Sequence, residues 1–142
     1  MADQTSSSID IDAAPAEVMA VIADLERYPE WVDSLKSATV LSERGGRAEQ
    51  VRMVLEHPVV KDTYTLAYDW DGDREVRWHL VEGQLLKAMD GSYALTPAGR
   101  GTRVTYTLAV DLSLPMLGMI KRKAEKTIID GALKGLKKRV EG

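Results

Sequence analysis

The sequence predicts an α+β fold: a curved antiparallel sheet of about seven strands wrapped around a long C-terminal helix, with two short helices after the first strand. Three observations carry this. From about Leu35 to Leu112 apolar and polar residues alternate, the pattern of strands with one dry and one wet face. From about Ser113 to Val140 apolar residues instead recur at helical spacing. A shorter helical stretch separates the first strand from the rest.

The elements follow in order. Ser8-Ile9-Asp10-Ile11-Asp12 alternates and reads as a strand. Asp12, Pro15 and Glu17 mark a helix start, with acids near the positive end of the dipole. Val18, Val21, Ile22 and Leu25 form its apolar stripe. Pro29 disfavours helical geometry at Tyr28, so this helix is expected to stop near Arg27 or Tyr28. Tyr28-Pro29-Glu30-Trp31 then turns the chain into a second short helix.

In the sheet region, Val51, Met53 and Leu55 share one face. Tyr64, Leu66, Tyr68 and Trp70 do the same, as do Val76, Trp78 and Leu80, and Val104, Tyr106, Leu108 and Val110. Asp71-Gly72 signals a tight hairpin, and Gly45-Gly46, Glu82-Gly83 and Pro97–Gly101 signal longer turns. Asp90-Gly91 inside a strand pattern predicts a bulge. The closing helix, about 39 Å long at 1.5 Å per residue, carries Leu117, Ile120, Ala124, Ile128, Ala132 and Leu136 as its apolar stripe. Lys123, Lys126, Asp130, Lys134 and Lys137 form its wet side.

The chain has 142 residues, which fits one domain spanning 1–142 with a sizeable core. It has no cysteine, which removes disulfide and thiolate chemistry and fits a reducing compartment. MADQTSSS lacks the basic start and apolar run of a secretory signal, and no apolar run is long enough to span a bilayer. A cytoplasmic protein is expected. The net charge of −3 is uneven: residues 115–142 carry eight cations against three acids, +5, leaving −8 elsewhere. The basic helix face is read as a solvated surface, with contact to an anionic membrane as the sharper alternative. The acidic remainder argues against nucleic acid.

A twisted sheet is curved, and a helix laid across it touches only part of its length. The leftover space is expected to form a cavity closed at one end by the short helices. Its expected lining is Trp31, Met53, Leu66, Tyr68, Trp78, Leu80, Met89, Tyr93, Tyr106, Leu108, Met116, Ile120, Ala124 and Ile128. These residues combine apolar bodies, adaptable thioethers and a few polar tips, the usual make-up of a small-molecule site. A solidly packed core is the alternative. A volume of roughly 300–1,000 Å³ would favour the site. Gly131 and Gly135 lie on the buried side of the helix and serve either close packing or room for a ligand. Lys121 either reaches the cavity mouth or pairs with Glu125.

Ile11-Asp12-Ala13, Pro15, Glu17, Val18, Ile22, Asp24, Tyr28-Pro29 and Trp31, together with Pro115 through Glu141, carry a resemblance across the whole chain. The sequence resembles the START-related, birch-pollen-allergen-like superfamily, which includes polyketide cyclases/dehydrases, coenzyme Q-binding proteins and lipid-transfer domains. The resemblance implies a helix-grip fold with a deep apolar cavity between sheet and long helix. It does not specify the ligand, because these residues are structural.

Catalytic chemistry is sparse. His57 precedes Pro58 at a turn, and His79 falls on the wet side of its strand. Two histidines and no cysteine give no zinc-ligand spacing, and no metal or cofactor is expected. There is neither a phosphate-binding loop nor a nucleophile elbow. Asp90 is the one candidate acid: a bulge at Gly91 would turn it inward, where burial raises a carboxyl pKa, whereas a regular strand leaves it on the surface. The leading expectation is a carrier of a hydrophobic small molecule such as a lipid, quinone or polyketide. The alternatives are a polyketide cyclase or dehydratase using Asp90, Tyr93, Tyr106 or Trp78, and an interaction module using Lys134, Lys137 and Lys138.

Overall fold

Strand β1 (Thr5–Ile11) leads into helix α1 (Pro15–Ala23) in the computed structural model, which describes residues 4–56, 58, 61–113 and 118–142. A 3-10 helix (Leu25–Glu30) follows, then strands β2 (Leu35–Arg44), β3 (Arg47–Glu56), β4 (Lys61–Asp71), β5 (Glu75–Gly83), β6 (Leu86–Ala98) and β7 (Gly101–Leu112). Helix α2 (Gly118–Glu141) closes the chain. The seven strands form one antiparallel sheet in the order β1-β7-β6-β5-β4-β3-β2, so each of β2 to β7 pairs with its sequence neighbour and β1 closes against β7. The helix-grip arrangement implied by the sequence is the one observed: α2 lies against β1 and β7, and α1 packs on α2.

The boundaries differ from expectation in instructive ways. β1 begins at Thr5, not Ser8. Its early residues lack an apolar signal, and on the outer face Ser6 and Ser8 pair through their hydroxyls with Thr107 and Thr105 at 3.1 and 2.8 Å. The helix start is also corrected. Ala14, not Asp12, is the N-cap, with no side-chain cap bond. The Asp12 N–H instead donates to the Glu141 carboxylate of α2 at 2.8 Å. The first helix stops at Ala23, earlier than Arg27, and Pro29 sits inside the 3-10 helix rather than between two helices. A 3-10 segment this short has few internal bonds to lose, so proline's missing N–H is tolerated there.

No bulge occurs at Gly91. Met89, Asp90 and Gly91 face Val110, Ala109 and Leu108 in unbroken register. Gly91 exists for another reason: it stands opposite Trp78, and a methyl group at Gly91 would overlap the indole ring. The glycine is the floor on which Trp78 lies. The real irregularities fall in β2, at Thr65/Leu66 opposite β5, and near Leu86 in β6. Bulges of this kind bend a sheet and increase its twist. At the β5–β6 turn the buried Asp62 carboxylate accepts the backbone N–H groups of Gln84, Leu85 and Leu86 at 3.0–3.1 Å, and that of Thr63 at 2.8 Å. One side chain thereby satisfies a turn that would otherwise bury unpaired donors.

The stripe on α2 is rotated from the predicted one. Its buried residues are Glu125, Ile129, Ala132, Leu133 and Leu136. Burying each of Ile129, Leu133 and Leu136 contributes about 2 kcal/mol. Ile120 is 47 % exposed, Ala124 and Ile128 are half-buried, and Leu117 lies outside the described residues. Glu125 disguised the true stripe: an acid broke the apolar pattern at a position that is only 2 % exposed. Its carboxylate accepts the Thr5 hydroxyl at 2.7 Å and the Val110 N–H at 2.9 Å, clasping α2 to both β1 and β7.

Candidate functional site

The inner sheet face and the underside of α2 do not meet completely. A cavity of about 60 Å³ remains between them. Strand alternation supplies most of its wall: Met53 and Leu55 from β3, Tyr64, Leu66 and Tyr68 from β4, Trp78 from β5, Met89 and Tyr93 from β6, and Tyr106 and Leu108 from β7. Tyr28, Val32, Ser34 and Leu35 close one end, and Ile128 and Ala132 of α2 form the roof.

The register explains the aromatic cluster at its base. Tyr68 faces Trp78, which faces Gly91, and Tyr93 faces Tyr106. Trp78 lies 5.4 Å from Tyr93, 5.6 Å from Tyr106 and 5.7 Å from Tyr68, and Tyr93 lies 4.6 Å from Tyr106. Such tilted and edge-on pairs are favourable beyond the area they bury. Tyr28 is anchored differently, donating its hydroxyl to the Ile22 carbonyl oxygen. Among the described residues, the hydroxyls of Tyr64, Tyr68, Tyr93 and Tyr106 donate to no other side chain or carbonyl, and no polar side-chain atom is sealed away without a partner. All four residues line the hollow.

All five tyrosines of the chain are buried, and burial pushes each phenol above its usual value near 10. Desolvation disfavours the phenolate, so the phenols stay protonated donors across the neutral range. The unfolded chain sheds these protons near pH 10 and the folded chain holds them to higher pH. The resulting stability is complete below pH 10 and is lost as pH climbs through the raised native values. An absorbance titration at the tyrosinate band is expected to show no ionisation near pH 10 while the fold persists, then one cooperative step as the protein unfolds.

On the helix side the cavity adjoins an outer groove of about 290 Å³ lined by Val32, Asp33, Ser34, Glu56, Pro58, Thr127, Ile128, Gly131 and Ala132. Val32, Ser34, Ile128 and Ala132 border both spaces, which makes the groove the candidate mouth of the cavity. The inner volume is well below the roughly 300–1,000 Å³ of a drug-sized site. A ligand of that size requires its walls to move. Met53 and Met89, unbranched and adaptable, are the wall residues best suited to yield.

Of the residues expected to line the cavity, Met53, Leu66, Tyr68, Trp78, Met89, Tyr93, Tyr106, Leu108 and Ile128 do so. Trp31 does not: it is buried beneath α2, 4.7 Å from Tyr28, with its carbonyl oxygen against Gly135. Leu80 packs on the core beyond the cavity. Ile120 points to solvent and Ala124 stops short of the hollow, because the helix is rotated toward Glu125 and Ile129. Met116 lies outside the described residues, as does His57. Tyr64 and Leu55 were missed although they share the period of Leu66 and Met53. Tyr28, Val32 and Ser34 come from a 3-10 and coil segment that gives no periodic signal, and Leu35 is the first residue of β2 after it.

Asp90 is not in the chamber. Regular pairing keeps it exposed on the outer face, opposite His79. Lys121 reaches neither the mouth nor Glu125; it pairs with Asp111 at 3.1 Å. Of the two glycines of α2, Gly135 lies on the buried side as expected, but Gly131 is exposed. Gly135 allows close packing against Trp31, whereas Gly131 has nothing within 4 Å and lines the mouth. Among the described residues the cavity wall holds no carboxylate, imidazole, amine or guanidinium, and no cluster of His, Cys, Asp or Glu could hold a metal. No described helix is long and apolar enough to cross a membrane.

The profile of the family described as polyketide cyclase / dehydrase and lipid transport matches residues 3–141. Solved structures share the fold across nearly the whole chain. A START superfamily protein from Mycobacterium smegmatis is 22 % identical with a TM-score of 0.90, over 97 % of both chains. A protein from Thermus thermophilus is 27 % identical with a TM-score of 0.83, also over 97 % of both. The Zhui aromatase/cyclase from Streptomyces sp. R1128 is 15 % identical with a TM-score of 0.83, over 99 % of this chain and 94 % of that one. No curated protein matches the sequence.

Proposed function

Because the chain belongs to the polyketide cyclase/dehydrase and lipid transport family, we propose that it binds and carries a hydrophobic small molecule bearing several oxygens, such as a quinone, a polyketide or an oxygenated lipid, in the chamber between sheet and helix. Residues 1–142 act as one ligand-binding domain in this reading. The observation that carries it is the hollow itself, walled mainly by apolar side chains among which four buried tyrosines, Tyr64, Tyr68, Tyr93 and Tyr106, supply phenol groups. A phenol pairs an apolar ring with a hydroxyl that can donate a hydrogen bond. Four of them around one hollow suit a guest whose oxygens they can meet. The apolar remainder, with Leu55, Leu66 and Leu108, covers the guest's hydrocarbon body.

Carriage is favoured over turnover by the chemistry of the wall. Its ionisable groups are phenols held protonated by burial, which donate hydrogen bonds but serve poorly as bases near pH 7. One observation supports a cyclase as the second reading. Tyr93, Tyr106 and Trp78 converge as that reading requires, although Asp90 does not. In that case the phenols would hold a flexible chain in a folded shape.

Organic extraction of the purified protein, with mass spectrometry of the extract, tests the carrier reading, and titration of the recovered or a related compound gives an affinity. Phenylalanine at Tyr93 or Tyr106 is expected to leave stability within about 0.5 kcal/mol, since no protein hydrogen bond is lost, and to weaken binding by about five- to tenfold. Unchanged affinity in all four Tyr→Phe variants would remove the hydroxyls from the account. Product formation from a linear polyketide, lost in the same variants, would instead favour the cyclase.

A further inference from the structure

We infer that the first two turns of α2 form a docking surface for an anionic lipid bilayer. Met119 is 78 % exposed and Ile120 47 % exposed, and they are adjacent. The other large exposed apolar side chains among the described residues, Leu41 and Val81, are in separate strands. Around this apolar pair the sequence places Lys121, Arg122, Lys123 and Lys126, and the first turn contains no acid. The segment's one carboxylate, Glu125, is buried and faces the sheet, where Thr5 and Val110 engage it.

This arrangement works against the helix itself. Cations at a helix N-terminus meet the positive end of its dipole. Lys126 has Asp130 at 3.3 Å, an exposed pair that contributes little, whereas the Lys121 side chain, 18 % exposed, is held by Asp111 at 3.1 Å. An anionic surface gives the cluster a purpose: apolar side chains enter the boundary between headgroups and acyl chains while the surrounding cations meet lipid phosphates. A second copy of the chain fits less well, since a symmetric contact would set the same cations against each other. Two cations nearer the C-terminus are engaged within the fold, and the exposed Lys134 and Lys138 lie more than two turns from Met119 and Ile120. Lys137 bonds the Asp10 carbonyl oxygen and Glu141, both at 2.7 Å, and Arg139 pairs with Glu30 at 2.8 Å.

The surface is continuous with the cavity mouth. At 100° per residue, Ile120, Thr127 and Gly131 project within about 20° of one line along the helix, and Thr127 and Gly131 border the mouth groove. Docking through Met119 and Ile120 turns that mouth toward the bilayer.

Co-sedimentation of the full chain with phosphatidylcholine–phosphatidylglycerol vesicles, against pure phosphatidylcholine vesicles, tests the inference. Binding is expected to the anionic vesicles and to fall as salt rises. The double variants Met119→Ser/Ile120→Ser and Lys123→Glu/Lys126→Glu are each expected to weaken it about tenfold or more. Lys134→Glu/Lys138→Glu should weaken it less than either. All these positions are exposed, so unchanged melting curves verify folding. Uptake of a hydrophobic fluorescent probe in vesicle-free solution should persist in every variant, which separates this inference from the chamber's own function. Absence of binding to the anionic vesicles, equal binding to both vesicle types, or a loss confined to the Lys134/Lys138 variant would overturn it.

Discussion

Alanine at Gly135 is expected to destabilise the protein by about 2 kcal/mol or more and lower its melting temperature by roughly 5–10 °C, whereas alanine at Gly131, one turn earlier, is expected to raise it. The two substitutions are chemically identical and both favour helix by about 1 kcal/mol. What differs is the neighbour. A methyl group at Gly135 would overlap the carbonyl oxygen of Trp31, a backbone atom that cannot move without shifting the segment joining the 3-10 helix to β2. Nothing lies within 4 Å of a methyl group at Gly131. Only the propensity gain remains there, worth up to about 1 kcal/mol. Denaturant unfolding of the two variants beside the parent measures both. Equal signs at the two positions would mean that α2 does not seat on Trp31 as described.

Tryptophan at Gly131 is expected to slow uptake of a hydrophobic probe at least tenfold while leaving the fold intact. The position faces the mouth groove, and the groove is bordered by the same four residues, Val32, Ser34, Ile128 and Ala132, that border the inner cavity. A large ring there fills the approach without touching the core. Stopped-flow fluorescence of probe uptake gives the rate, and circular dichroism verifies the helix. The alanine variant separates blockage from altered helix stability, since it should be more stable yet admit the probe. Unimpeded uptake in the tryptophan variant would place the route elsewhere.

The parts of the fold legible in the sequence are those set by periodicity. Alternation in β3, β4, β5 and β7 gave the inner face, because successive strand residues must point to opposite sides. It also gave Met53, Leu66, Tyr68, Trp78, Tyr106 and Leu108 as wall residues. Two kinds of feature stayed hidden. Glu125 concealed the buried stripe of α2, since its place inside depends on Thr5 and Val110, which are far from it in sequence or on another element. Gly91 was ambiguous for a related reason: a glycine in a strand signals either a bulge or a close neighbour. Only the register with Trp78 decides between them, and it returned Asp90 to the outer face. The end of the chamber formed by Tyr28, Val32 and Ser34 belongs to a 3-10 and coil segment, where no repeat spacing marks the inward side, and Leu35 stands at the very start of β2.

The most direct test of the chamber is an amide NMR titration with an oxygenated aromatic ligand such as a naphthoquinone. The shifts are predicted to concentrate at Met53, Tyr64, Met89, Tyr93, Leu108 and Ile128, which surround the hollow on both the sheet and the helix. Shifts gathered instead around Arg77, His79, Asp90 and Ser92 on the outer sheet face, with the inner residues silent, would contradict it.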